Sequence, residues 1–277
     1  MLGVNAPGEP GLVDLLDLAV EAAMRAAEIH RDARGALLRV SEKSSSSDLV
    51  TQVDREAEAA IVEAITAARP DDAILAEEGG GRSGESGVRW IVDPLDGTAN
   101  YVYGYPAHAV SIGVEIDGVL SVGVVHDTSC GSLYTATLGG QASRDGAPIE
   151  SSGPMDPSTA MVATGFSYDP ELRRQQGRTL AALLPQVRDA RRSGSASLDL
   201  CAVACGTVDA YYEAGVAPWD VAGGIVIARA AGAEVLFGTA RGFPGLAVLT
   251  GSPSLVPALA LLLQEAGLRI EPRQHVA

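Results

Sequence analysis

Four acidic spots in this chain stand where apolar runs end or helices begin. In Trp90-Ile91-Val92-Asp93-Pro94-Leu95-Asp96-Gly97-Thr98 an apolar run closes on Asp93, and Asp96 follows three residues later, just before Gly-Thr. Two carboxylates placed there can converge on hard divalent cations, which take oxygen ligands. Pro94 stiffens the turn, and Gly97-Thr98 is expected to open a short helix whose free amides suit a phosphate. A plain Asp-Gly turn with Asp96 capping the helix is the alternative. Ile74-Leu75-Ala76-Glu77-Glu78 repeats the pattern, against a solvated turn. Asp220 in Pro218-Trp219-Asp220, and Asp54 after Asp48-Leu49-Val50-Thr51-Gln52-Val53, stand at helix starts. Capping, favourable by about 0.3–1 kcal/mol, explains either one alone. If all these acids share one cleft they repel, so a common site predicts bound cations. Lys43 is the only lysine among 20 Lys+Arg, and it sits in a polar loop, Ser41 to Ser47.

The elements that must position these residues are visible in the hydrophobic periodicity. Helical spacing runs from Leu12 to Arg34 and from about Asp54 to Ala68, where Pro70 ends it. Strand-like runs follow at Ala73–Ala76, Arg89–Val92, Val110–Ile116, Val119–His126 and Ser132–Thr137, with an Asp117-Gly118 hairpin turn between two of them. Gly79 to Gly87 is a Gly/Ser-rich loop with the composition of a mobile segment. In the second half, strands are expected at Ala160–Thr164, Val187–Ser193, Ala210–Ala214, Ala233–Phe237 and Ala247–Thr250. Helices are expected at Pro170–Leu184, Ser197–Cys205, Trp219–Ala231 and Pro253–Ala266. Two halves result: residues 1–152, an α+β half holding the metal-type motifs, and residues 153–277, an α/β half completing the site.

Composition narrows the function. The chain has 277 residues, 47% of them apolar, enough for a large core. A formal net charge of −15 disfavours a nucleic-acid partner, which calls for a basic face. The longest apolar stretch, Leu255 to Leu263, carries Pro257 and is far short of the roughly 20 residues a membrane span requires. The acidic, Gly/Pro-rich start lacks the charge pattern of a signal peptide. Three cysteines do not suggest a disulfide framework, so a reducing cytoplasm is the expected compartment.

Six motifs, in order and spacing, resemble the inositol monophosphatase family, with bacterial members of the extragenic-suppressor type the nearest pattern. They are Lys43-Ser44-Ser45 with Asp48 to Thr51 and Asp54; Glu77-Glu78; Asp93 to Thr98 with Asn100; Arg192 to Ala196; Asp209 to Glu213; and Trp219 to Gly223. The resemblance implies a layered αβαβα sandwich (α+β / α/β), usually a homodimer, and two or three Mg²⁺ per active site. It places Glu77, Asp93 and the Leu95 carbonyl on the first ion, Asp93, Asp96 and Asp220 on the second, and Glu77 on a looser third. Asp54 and Thr98 are expected to orient and deprotonate the attacking water, with Lys43 near the cations and phosphate. Gly97 and Thr98 amides are expected on the phosphate, and Asp96, Ala196, Glu213 and Asp220 on the substrate. The implied reaction is hydrolysis of myo-inositol 1-phosphate, with the family's lithium sensitivity. Histidinol phosphate, fructose 1,6-bisphosphate and 3′-phosphoadenosine nucleotides are rival substrates, and a regulatory protein-binding role is the reading from another class. Ala76, and Ala217-Pro218 before Trp219, depart from the family pattern and leave the sugar side of the pocket open.

Overall fold

The computed structural model describes residues 11–35, 40–42 and 49–276. In chain order the first part comprises α1 (Leu12–Asp32), β1 (Val40–Glu42), β2 (Leu49–Thr51), α2 (Gln52–Ala68), β3 (Ala73–Ala76), β4 (Val88–Asp96), α3 (Thr98–Tyr103), β5 (Ala109–Ile116), β6 (Val119–Asp127), β7 (Ser132–Thr137), β8 (Ser143–Arg144) and β9 (Ala147–Pro148). The second part comprises β10 (Met161–Thr164), α4 (Pro170–Leu183), β11 (Asp189–Arg191), α5 (Ala196–Ala204), β12 (Ala210–Val216), α6 (Pro218–Ala230), β13 (Glu234–Ala240), β14 (Leu246–Gly251), α7 (Val256–Glu265) and β15 (Ile270–Pro272).

Strands β3 to β9 form a seven-stranded sheet in sequence order, and a six-stranded sheet runs β11-β10-β12-β14-β13-β15. Side-chain alternation assigns the layers. Trp90, Val92, Ile112 and Val124 face α1 and α2, where they pack with Leu15, Ala22, Ile61 and Ile65. Ile91, Ala109 and Val125 face the other way, onto α5 and α6, and share a core with Tyr211 and Val248 of the second sheet. The far side of that sheet is covered by Leu183 of α4 and by Leu259 and Leu263 of α7. The order is therefore helix pair, sheet, helix pair, sheet, helix pair, an αβαβα sandwich. Burial on both faces is why its strands read as nearly unbroken apolar runs.

Several expectations from sequence are corrected. The second half is not a purely alternating α/β unit: β10 runs parallel to β11 and β12, but β14 is antiparallel to both β12 and β13. No helix separates β13 from β14, so the chain returns as a hairpin. The strand expected over Val187–Ser193 shortens to β11, and Ser41 and Glu42, expected in a loop, pair with β2. The Gly79–Gly87 loop is tied down rather than open. Arg82 donates to the carbonyls of Arg69, Pro70 and Asp72, and Ser86 Oγ donates to Asp72 at 2.6 Å. The Asp117-Gly118 turn has φ of +50° and +79°, as a two-residue hairpin of type I′ requires.

Three glycines set how closely α6 approaches the first sheet, and so where its N-terminus lies. A Cβ on Gly113 would stand 2.6 Å from Ala222 Cβ; one on Gly123 would strike the Gly223 carbonyl and lie 2.8 Å from Val226 Cβ. Gly223 in turn lies against the Ile112 carbonyl. Overpacking of this kind costs about 1–3 kcal/mol. Gly123→Ala should lower the urea midpoint accordingly, whereas Gly177→Ala, with no neighbour within 4 Å, should be neutral or stabilising. Equal effects of the two in urea unfolding would refute the close-packing account.

Candidate active site

A cleft of about 150 Å³ opens where β3, β4, α5, β12 and the start of α6 meet. Glu77, Asp93, Asp96 and Asp220 line it together with Leu95, Gly97, Thr98, Ala196 and Glu213. Five of the six motifs, spread along the chain from Glu77 to Asp220, thus share one wall.

A backbone irregularity makes the Asp93–Asp96 pair possible. The apolar run does not stop at Val92; β4 continues to Asp96. Side chains three apart on a regular strand point to opposite faces. Here Asp93 is opposite Ser111 and Asp96 opposite Ala109, so one extra residue is inserted at Pro94-Leu95. That bulge turns both acids toward the same cleft. The Leu95 amide donates to Asp93 Oδ1 at 3.0 Å and orients it. Gly97, at φ +88°, then starts α3, and a Cβ there would stand 2.7 Å from the Ala107 carbonyl. Behind the loop, Leu95, Tyr101 and Val53 form a small core against Ile29 and Ala33, and Tyr101 OH donates to the His30 carbonyl at 2.7 Å.

Asp54 and Asp220 do cap their helices, and capping leaves a second oxygen for other work. Asp54 Oδ2 accepts from the Thr51 amide at 2.8 Å and from Thr51 Oγ1 at 2.6 Å. Its Oδ1 accepts from Thr98 Oγ1 at 2.7 Å. Asp54 is fully buried and lies behind Thr98 rather than on the cleft wall. Asp220 Oδ2 accepts from the Ala217 amide at 2.7 Å. Asp96 is held harder still: its Oδ2 accepts from Ser195 Oγ at 2.6 Å, Ser197 Oγ at 2.5 Å and the Ser197 amide at 2.8 Å. Lys43 lies outside the described residues.

The electrostatics of the cleft are those of crowded anions. Burial, then the charges of Glu77, Asp96 and Asp220, push the Asp93 carboxyl well above the usual range. Burial and the charges of Glu77 and Asp96 do the same to Asp220. Burial raises Asp96 too, opposed by the donors from Ser195 and Ser197. Arg192 is the only cationic side chain on the wall among the described residues. The donor set is therefore all oxygen and short of positive charge, which fits hard cations. Among the described residues no three acids, histidines or cysteines stand close enough to hold a metal ion as they are placed. An open cleft with few protein donors per ion suits Mg²⁺, which keeps several of its waters.

Some wall residues carry no clear sequence signal. Ser195 is legible only within the Arg192–Ala196 motif, Phe166 and Tyr168 only as loop residues, and Ser197, which stands behind the wall, only as a helix start. Asp199, inside the apolar helix α5, could have been flagged as an acid between Leu198 and Leu200. It is buried, which pushes its carboxyl well up, beside Ser193, Glu213 and Asp96.

A model of the inositol monophosphatase family matches residues 12–267. The chain belongs to that family. It is 44% identical to the inositol-1-monophosphatase SuhB of Mycobacterium tuberculosis (strain H37Rv) over 232 residues, 80% of each chain. It is 41% identical to a protein named Nus factor SuhB of Vibrio cholerae, over 80% of this chain and 84% of that one. Its structure is similar to the extragenic suppressor protein suhB of Bartonella henselae, with a TM-score of 0.83, 32% identity, and coverage of 91% of this chain and 98% of that one. Family membership supports phosphatase chemistry on a phosphorylated substrate, in a family that generally uses metal ions. No helix among the described residues is long and apolar enough to cross a membrane.

Burial pushes Glu213 from 4.5 up to about 7, opposed by the hydrogen bond from Tyr211 and the charge of Arg192. The folded protein thus holds a proton there that the unfolded chain releases from about pH 4.5. Its contribution to stability is full below that pH and is lost as pH rises toward 7. In the cation-free protein, Glu213→Gln should match the parent in urea midpoint at pH 4.5 and exceed it at pH 8. The gain is at most about 3 kcal/mol, reduced because solvent reaches the cleft. An identical difference at both pH values would refute the assignment.

Proposed function

We propose that this protein is a Mg²⁺-dependent phosphate monoester hydrolase acting on myo-inositol 1-phosphate. The observation that carries the reading is the convergence of Glu77, Asp93, Asp96 and Asp220 on one cleft beside the Asp54–Thr98 pair. Glu77, Asp93 and the Leu95 carbonyl are assigned to a first cation, and Asp93, Asp96 and Asp220 to a second. Glu77 serves a looser third. Bound there, the ions supply charge neutralisation for the phosphoryl oxygens and leaving group and acidify the attacking water.

The chain's own residues do the rest. Because Thr98 Oγ1 donates to Asp54 Oδ1, its lone pairs are left to accept a proton from a water in the cleft. As that proton arrives, the hydroxyl's own proton passes to Asp54 Oδ1, while Thr51 holds the other carboxylate oxygen. Thr98 also lies 3.0 Å from the Leu95 carbonyl, so its rotamer is constrained on two sides. The amides of Gly97 and Thr98 are assigned to the phosphate oxygens, and Lys43 to the same neighbourhood. Ala196 and Glu213 face the polyol with Asp96 and Asp220. Glu213, steadied by Tyr211 OH at 2.9 Å, can accept from ring hydroxyls when ionised and donate when neutral.

The half boundary at 152/153, a homodimer, a cytoplasmic location and lithium sensitivity belong to the same proposal. Support for the substrate is the name of the mycobacterial relative. Phosphate release should be measured with Mg²⁺ on inositol 1-phosphate, histidinol phosphate, fructose 1,6-bisphosphate and 3′-phosphoadenosine 5′-phosphate. Preference for the first, abolished by chelation, is expected. Preference for another ester would keep the chemistry and move the substrate, and silence on all four would favour the regulatory reading. Asp93→Asn should lose at least about 100-fold in Mg²⁺-dependent turnover while remaining folded by circular dichroism. Full activity in that variant would overturn the cation assignment.

A further inference from the structure

Glu58 lies on α2 one turn beyond Asp54, is 4% exposed, and is absent from the cleft wall. Its two carboxylate oxygens accept from the main chain just past β3: Oε2 from the Glu78 amide at 2.6 Å, Oε1 from the Gly80 amide at 2.7 Å. β3 has four residues and is the edge of its sheet. Its pairing with β4 continues at Glu77, whose amide reaches the Val92 carbonyl at 3.2 Å. Beyond that the chain turns away through Gly79 at φ +96°. A Cβ on Gly80 would stand 2.7 Å from Glu58 Oε1, so a side chain there would push the carboxylate out of the bracket.

We infer that Glu58 is a positioning residue, which through the Glu78 and Gly80 amides holds the end of β3 so that Glu77 faces Asp93 and Asp220 across the cleft. The inference rests on the reading of Glu77 as a cation ligand. A buried carboxylate is the side chain suited to two converging N–H donors, since both its oxygens accept. An amide would turn an NH₂ group toward one of them. Because Asp54 and Glu58 share α2, one rigid helix sets the water-activating pair at its first turn and the Glu77 strand end at its second.

The test uses the full chain stripped of cations. Mn²⁺ affinity is measured from the electron paramagnetic resonance signal of the free ion, and hydrogen exchange is followed over residues 76–82. Glu58→Ala should weaken Mn²⁺ binding about 10–100-fold, as loss of an outer support of a metal ligand does. It should also speed exchange at the Glu78 and Gly80 amides, with kcat at saturating Mg²⁺ little changed. Glu58→Gln should fall between the parent and Glu58→Ala, and Gly80→Ala should weaken Mn²⁺ binding in the parent but add little in the Glu58→Ala background. If Glu77→Gln weakens Mn²⁺ binding and Glu58→Ala does not, Glu58 only fastens the loop and the positioning role is refuted. If Glu77→Gln leaves Mn²⁺ binding intact, the ligand reading fails first and the inference falls with it.

Discussion

Bringing Asp93, Asp96, Asp220 and Glu77 into one cleft sets desolvation and like-charge repulsion against folding, and Asp93 and Asp220 feel both. Such a cluster persists only where rigid surroundings determine its geometry and where cations or protons neutralise it. Most of the architecture around the cleft can be understood as answering that demand. The close approach of α6 at Gly113, Gly123 and Gly223 brings the Asp220 helix start against the strands that carry the other acids. The bulge in β4 turns two acids of one strand to the same side.

Caps and site are the same residues. At the starts of α2 and α6 an acidic side chain spends one oxygen on a main-chain amide, and that bond fixes where its second oxygen points. Reading Asp54 and Asp220 as caps or as functional acids is therefore not a choice between exclusive alternatives. Local helix chemistry supplies the preorganisation that positioning catalysis needs. Asp96 obtains the same support from across the molecule, through Ser195 and Ser197 at the start of α5. This bond joins the first sheet to the helix layer between the sheets.

The part of the cleft assigned to the substrate is built differently. Glu213, Tyr211 and Asp199 are buried or half-buried polar groups set among each other, with Arg192 at the rim. Phe166 and Tyr168 add an aromatic edge. Acceptors and apolar surface thus share this part of the wall.

The sequence by itself determined the acids and their order, the helix starts that hold two of them, and the apolar runs of the layers. These follow from local rules: period, capping and turn chemistry act over a few residues. Even there the Arg89–Val92 run stopped short, because a bulge at Pro94 is invisible to period counting. Only the tertiary structure decided that β13 and β14 return as a hairpin and that Asp54 lies behind Thr98. It alone brought Ser195, Ser197, Asp199 and Glu58 into service. Ser195 and Ser197 lie 99 and 101 positions from Asp96, and Glu58 lies 20 and 22 positions from the two amides it holds. Asp199 meets Glu213 from a different element, α5 against β12. Pairings over such separations depend on packing and burial, which no local pattern encodes.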